Sequence, residues 1–197
     1  MRSESLKGDS ASGVCDTATP IYRYSLAINR DTRNYWFLAR RSRSAEVVLV
    51  VRRRNGRYLV HTKAFYPPGS YRLMTGGVKP GEEPGAAALR EAYEETGLQV
   101  ELKRNLARID YEFHYEDETL TFTSYLFLVQ DQGGVLGPLD ADEKITDFRE
   151  VALADLPALA DQLEALQGDD WADWGRFRAP AHRIAYQLLV QDDAANN

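Results

Sequence analysis

The sequence predicts an α/β protein in which helices cover both faces of a mixed sheet. Three observations carry this. Strand-like runs come first, a helix interrupts them, further strands follow, and two helical patterns close the chain. An Asn55-Gly56 pair joins two β-rich runs, and both residue types tolerate the positive φ of a tight hairpin turn. A length of 197 residues with 44% hydrophobic content is enough for one good core.

In order along the chain, residues 1–20 are rich in Ser, Gly, Asp and Thr and read as a flexible polar tail. A single domain is expected over residues 21–193, with residues 194–197 as a second tail. YRYSLAIN and YWFLA read as strands separated by the polar turn RDTRN. These N-terminal strands, residues 21–40, are expected to form an accessory arm of the kind that builds a homodimer interface. AEVVLVVRRR and RYLVHTKA form the Asn-Gly hairpin, and FYPPGSYRLMTGG is turn-rich. Gly85 to Thr96 reads as a helix, with Pro84 at its start and Gly97 at its end. QVELKRNLARIDYEFHY and ETLTFTSYLFLVQ are β-like and meet at an acidic turn around Glu116-Asp117. The loop DQGGVLGPLDADEKIT then leads to a short strand, DFREVAL. Leu156, Leu159, Leu163 and Leu166 recur at helical spacing, and a closing helix begins at Pro180, with Ile184 and Leu188 on one face.

Composition narrows the function. The formal net charge is −6 and the pI about 5.2, so the chain gains nothing from counterion release on duplex nucleic acid; no long nucleic-acid partner is expected. A small polyanion can still bind where a metal supplies positive charge. The lone Cys15 cannot form an internal disulfide and suits a reducing compartment. No apolar run approaches the ~18 residues of a membrane span, and the leader has no apolar core of a secretory signal. The expected location is the cytoplasm, with no membrane partner. His61, His114 and His182 share no spacing that would make a zinc site.

The chemistry concentrates in the segment from Gly76 to Leu98. At ~100° per residue, Glu91, Glu94 and Glu95 fall in one narrow sector of the helix, together with Ala87 and Ala88. Leu89, Ala92, Tyr93 and Thr96 lie opposite, where a core is expected. Three carboxylates on one face repel one another unless a cation sits there, and hard divalent ions such as Mg²⁺ prefer oxygen ligands. Arg90 reaches Glu94 at i+4 and presents a planar fork that orients carboxylates. Gly76, Gly77 and Gly81 allow close ligand approach in the preceding loop, and Glu82 braces it or adds an oxygen.

The full pattern resembles the Nudix box, GX5EX7REUXEEXGU, with U bulky and apolar. Gly76, Glu82, Arg90, Glu91, Glu94, Glu95 and Gly97 occupy all of its fixed positions, and Leu98 fills the last U. One departure is Ala92 at the first U, which concerns packing. The resemblance implies a Nudix-type α/β/α sandwich with a mixed β-sheet, here with added N-terminal strands. It implies a metal-dependent hydrolase of a nucleoside diphosphate linked to another group, using Mg²⁺ or Mn²⁺. Glu91, Glu94 and Glu95 would be metal ligands, Gly76 would offer its carbonyl, and Arg90 would position the carboxylates. Glu143, in the later loop DADEKIT, is the favoured general base over Asp140, Asp142 and the turn acids Glu116, Asp117 and Glu118. Arg52 and Tyr115 are candidate substrate contacts. Tyr66 and Tyr71 are further stacking candidates, while Trp171 and Trp174 are expected to anchor the last helix. No motif for a particular substrate stands out: many ADP-ribose hydrolases carry a proline downstream of the box, and here there is none between Pro84 and Pro138. Two alternatives are a nucleotide-sensing module without catalysis and an isopentenyl-diphosphate isomerase; the latter needs a cysteine within the domain.

Overall fold

The structure is a computed structural model that describes residues 19–39 and 45–195. The leader with Cys15, and Arg40, Arg41 and Arg43, lie outside the described residues.

Seven strands form one mixed sheet: β1 (Ile21–Ala27), β2 (Ala45–Arg52), β3 (Tyr58–Lys63), β4 (Met74–Val78), β5 (Leu98–Tyr115), β6 (Glu118–Gly134) and β7 (Ile145–Val151). Their order is β1-β5-β6-β2-β3-β7, with β4 also paired to β2. β1 runs parallel to β5 and β2 parallel to β6; the other pairings are antiparallel. The Asn-Gly turn joins β2 to β3, with Gly56 at φ 80° and its N–H donating to the Arg53 carbonyl.

Alternation along β2 explains the layers. Val48 and Val50 point to one face, Val47, Leu49 and Val51 to the other, and all are buried. The first face meets α1 (Arg30–Ala39), α3 (Leu156–Glu164) and α4 (Ala172–Ala195) through Trp36, Leu156, Leu159, Phe177 and Ile184. The second meets α2 (Pro84–Thr96) through Ala87, Ala88 and Ala92. The small Ala92 at the first apolar position of the box is fully buried there, so the departure lets the helix lie close to the sheet.

Four sequence expectations need correction. RDTRN and YWFLA are one helix, α1, rather than a turn and a strand. Asn29 caps it by accepting the Thr32 N–H at 2.9 Å, and Trp36 is fixed against Phe113, Phe122 and Phe177. β1 is therefore the one strand in residues 21–39, and it is an edge of the main sheet. The turn-rich stretch before the box contains β4, which pairs with β2 from Ala45 to Leu49. The closing helix begins at Ala172, with Pro180 inside it; burial of Phe177, Ala179 and Ala181 around the proline carries the helix through a residue that breaks helices elsewhere. Finally, the buried face of α2 is the one bearing Glu91 and Glu95, while Leu89 and Tyr93 are exposed.

Candidate active site

β4 and α2 build the site. Gly76 on β4 pairs with Val47, and the Glu91 side chain passes directly over the Gly76 α-carbon. A β-carbon there would stand 2.0 Å from Glu91 Cγ, so only glycine leaves the room. Gly97 ends α2 in the left-handed region at φ 67°, its N–H donating to the Tyr93 carbonyl. The following loop caps the same helix end: Gly137 N donates to Thr96 O and Leu139 N to Glu94 O. This docking carries the short 3₁₀ turn at Ala141–Glu143 back toward the carboxylates.

Arg90 is the hub of the loop and helix. Its Nε and Nη2 donate to both Glu82 oxygens at 2.8 Å, its Nη1 to Glu91 Oε1 at 2.7 Å and Glu94 Oε2 at 2.9 Å, and its Nη2 to the Gly77 carbonyl at 2.9 Å. The guanidinium fork holds the Glu82 carboxyl down at about 2, helped by the Lys79 N–H. Glu82 is thus the brace of the loop. Burial raises Glu91 above the ordinary carboxylate range against the pull of Arg90.

Glu95 is 1% exposed and pairs with Lys63 Nζ at 3.1 Å; Lys63 also donates to Glu143 Oε2 at 2.6 Å. Burial pushes the Glu95 carboxyl up to about 7, against Lys63 and Arg72. Burial lowers Lys63, but Glu95 and Glu143 outweigh it and hold the ammonium above its ordinary value. Glu95 Oε2 has no hydrogen-bond partner among the described residues.

These groups open onto a cavity of about 300 Å³, lined by Gly76, Gly77, Glu91, Glu95 and Glu143 together with Lys63, Arg72 and Arg178. Arg72 is buried and donates to Tyr66 Oη, the Leu73 carbonyl and Thr75 Oγ1, with no carboxylate bonded to it. Arg178 pairs with the buried Glu46 at 2.7 Å. Among the described residues no three acidic, histidine or cysteine side chains form a ready-made metal cage, because Arg90 and Lys63 hold the carboxylates.

Residues 41–172 match the family model of the NUDIX domain. The chain belongs to the NUDIX domain family. Over 48 residues it is 40% identical to the RNA pyrophosphohydrolase of Erythrobacter litoralis (strain HTCC2594), a match covering 24% of this chain and 29% of that protein. In fold, this Nudix chain is similar to a NUDIX hydrolase from Nitrosomonas europaea, at a TM-score of 0.52 and 16% identity over 74% of this chain and 89% of that one. It is also similar to the dihydroneopterin triphosphate pyrophosphohydrolase of E. coli, at a TM-score of 0.50 and 16% identity over 76% and 97%.

Of the residues singled out in the sequence, Gly76, Glu91, Glu95 and Glu143 line the Nudix cavity. Arg90 and Glu94 adjoin it, the latter half exposed. Arg52 and Tyr115 do not. Arg52 is exposed at the far end of β2, five positions beyond the Val47–Gly76 pair, and Tyr115 sits at the β5–β6 turn, accepting from Arg30 Nε at 3.1 Å. Glu118 in that turn pairs with Arg33. Tyr66 does reach the cavity, whereas Tyr71 donates to Asp147 under the Arg149 guanidinium. Sequence reading missed Lys63, Arg72 and Arg178. Lys63 is the last residue of β3, whose YLVHTK sequence has no apolar–polar alternation to mark which way it points.

Proposed function

We propose that the protein is a divalent-metal-dependent hydrolase of the phosphoanhydride bond in a nucleoside diphosphate linked to another group, water attacking phosphorus to leave two phosphorylated products. One observation carries this reading: Glu95, whose buried Oε2 has no hydrogen-bond partner among the described residues, lines one cavity with Glu91, Gly76 and the cations Lys63, Arg72 and Arg178. The donor set fits a hard cation, Mg²⁺ or Mn²⁺, through Glu91, Glu94, Glu95 and the Gly76 carbonyl. Such an ion, when bound, neutralises phosphate oxygens and lowers the pKa of a water.

The chain's own residues then have distinct tasks. Arg90 fixes Glu91 and Glu94 relative to the loop. Arg72, a buried guanidinium with no bonded carboxylate, takes a phosphate oxygen. Glu143 is the general base, and Lys63 holds its carboxylate at the cavity through a 2.6 Å hydrogen bond. The pyrophosphohydrolase named among the relatives supports the reaction class.

The test is product analysis by mass over nucleoside triphosphates, ADP-ribose, nucleotide sugars, dinucleoside polyphosphates and NADH, with Mg²⁺ or Mn²⁺. Glu94→Gln and Glu95→Gln are expected to cost at least about 10²-fold in kcat and to weaken metal binding. A Glu143→Gln variant with unchanged kcat removes Glu143 from the mechanism. Absence of hydrolysis across the panel, with tight nucleotide binding, would replace the enzyme by a nucleotide-sensing module.

A further inference from the structure

A second cavity, about 280 Å³, adjoins the first and shares Tyr35, Phe65, Trp174 and Arg178 with it. Its walls are aromatic: Tyr35, Trp36, Phe65, Trp171, Trp174 and Phe177. Trp36 and Phe177 form a buried floor, while Tyr35 and Phe65 are exposed at its margin. α1, the segment after β3, and Trp171 with the start of α4 contribute these side chains. The Trp171 and Trp174 rings meet edge to face at 5.3 Å, so one ring presents its flat side where the other presents its rim.

The two cavities differ in charge. Lys63 and Arg72 line the first together with Glu91, Glu95 and Glu143, whereas Asp31, Asp170 and Asp173 line the second, and Arg178 is shared by both. Asp173 is already engaged by the Asn29 N–H and by Arg176. Asp31 and Asp170 are exposed, and no hydrogen bond from the described residues engages their carboxylates. An anionic group finds Lys63, Arg72 and Arg178 in the first cavity, whereas the second offers it only the shared Arg178 among three carboxylates. The second suits a flat apolar ring whose edge donates hydrogen bonds.

We propose that this aromatic cavity is the base subsite of the substrate, and that it takes a nucleobase bearing an exocyclic amino group while its diphosphate lies against Arg72 and Lys63. This rests on the phosphohydrolase reading above. Guanine offers two adjacent donors, and adenine and cytosine one amino group each, to Asp31 and Asp170. Uracil has no exocyclic amino group, and its one ring donor, N3–H, is flanked by two carbonyl oxygens that those carboxylates repel. Stacking between the rings supplies affinity without choosing the base; the acids supply the choice.

All three tryptophans of the chain line this cavity, and Trp174 borders the first as well, so ligands that differ only in the base are compared. Metal-free protein is titrated with GMP, AMP, CMP and UMP, which carry the same phosphate. Saturable quenching by the first three, at concentrations about tenfold or more below those needed for UMP, is expected. Trp171→Ala is expected to weaken every nucleotide about tenfold. Asp31→Ala and Asp170→Ala, both at exposed positions, are expected to narrow the gap between GMP and UMP. Equal quenching by all four, none by any, or stronger quenching by choline than by GMP overturns the proposal. If the substrate panel is hydrolysed while quenching ignores the base, only this proposal falls. If quenching is base-selective and nothing is hydrolysed, the subsite stands and the enzymatic reading falls.

Discussion

Gly76→Ala separates the site's geometry from the fold's stability. The added methyl would meet Glu91 Cγ and Cδ at 2.0 Å and Oε2 at 2.3 Å. Glu91 must withdraw by about 1.5 Å to regain the ~3.5 Å of ordinary carbon contact. It has little room to do so, because α2 lies against β2 and β4 through three buried alanines and Arg90 holds Glu91 Oε1 at 2.7 Å. Overpacking of this kind costs about 1–3 kcal/mol, and displacing a reacting group by ~1 Å costs on the order of 10²-fold in rate. The variant is therefore expected to unfold in urea with about 1–3 kcal/mol less stability and to lose roughly 10²-fold in kcat, with a higher Mn²⁺ midpoint. Gly137→Ala is the control: a β-carbon there meets nothing within 4 Å, so a change within about 0.5 kcal/mol is expected. A Gly76→Ala protein that loses stability yet keeps wild-type kcat and Mn²⁺ midpoint would refute the assignment of Glu91 to the metal.

Two further outcomes follow from the charges. Arg90→Lys keeps the charge but loses the fork that joins Glu82, Glu91, Glu94 and the Gly77 carbonyl; a loss of about 2 kcal/mol in urea unfolding is expected, together with a fall in kcat, and a variant as stable and active as wild type denies Arg90 its hub role. His182 is buried, its Nε2 accepting the Leu73 N–H at 3.0 Å with Nδ1 3.0 Å from the Arg178 carbonyl, and burial holds its pKa down at about 3, with Arg72 and Arg178 adding to the effect. The unfolded chain therefore binds this proton first, near pH 6.5, so the contribution of the neutral ring is complete above that pH and is lost as pH falls toward 3. At ~1.4 kcal/mol per unit, about 2 kcal/mol is gone by pH 5. The loss of stability between pH 7.5 and 5 is expected to be smaller in His182→Gln than in wild type, and equal losses would show that the ring does not set this slope.

The parts of the fold legible in the sequence are those fixed by local chemistry. Asn55-Gly56 specifies its hairpin through backbone φ alone, and Pro84 with Gly97 brackets α2 by the same means. The errors come where distant packing decides. Tyr35 to Ala39 is rich in residues that favour strands, yet Asn29 caps a helix there because Trp36 gains three aromatic neighbours from β5, β6 and α4. The cap at Asn29 was readable; its partners were not. Pro180 was read as a start because that is its usual place, and only burial on both sides of it shows otherwise. In the site, the box residues are legible because one helix and its loop set their spacing. Arg72 and Arg178 come from separate elements, 106 positions apart in the chain, and no local pattern marks them as lining one cavity.

The helix face shows why the motif and the hydrophobic pattern disagree. Leu89 and Tyr93 are the bulky residues of α2, and an amphipathic reading turns them inward; the structure turns them out and buries Glu91 and Glu95 instead. Alanines at 87, 88 and 92 bring the backbone close to the sheet, where a leucine would hold the carboxylates away from β4. The arrangement sacrifices apolar burial and places two acids in a medium that raises both their pKa values. Arg90 and Lys63 offset part of that cost, but Glu95 Oε2 remains unpartnered among the described residues. A helix selected only for stability would bury Leu89 and expose the glutamates. The carboxylate cluster is thus a poor solution for the fold alone, and the cation of the proposed function, with phosphate as its counter-charge, would offset its cost.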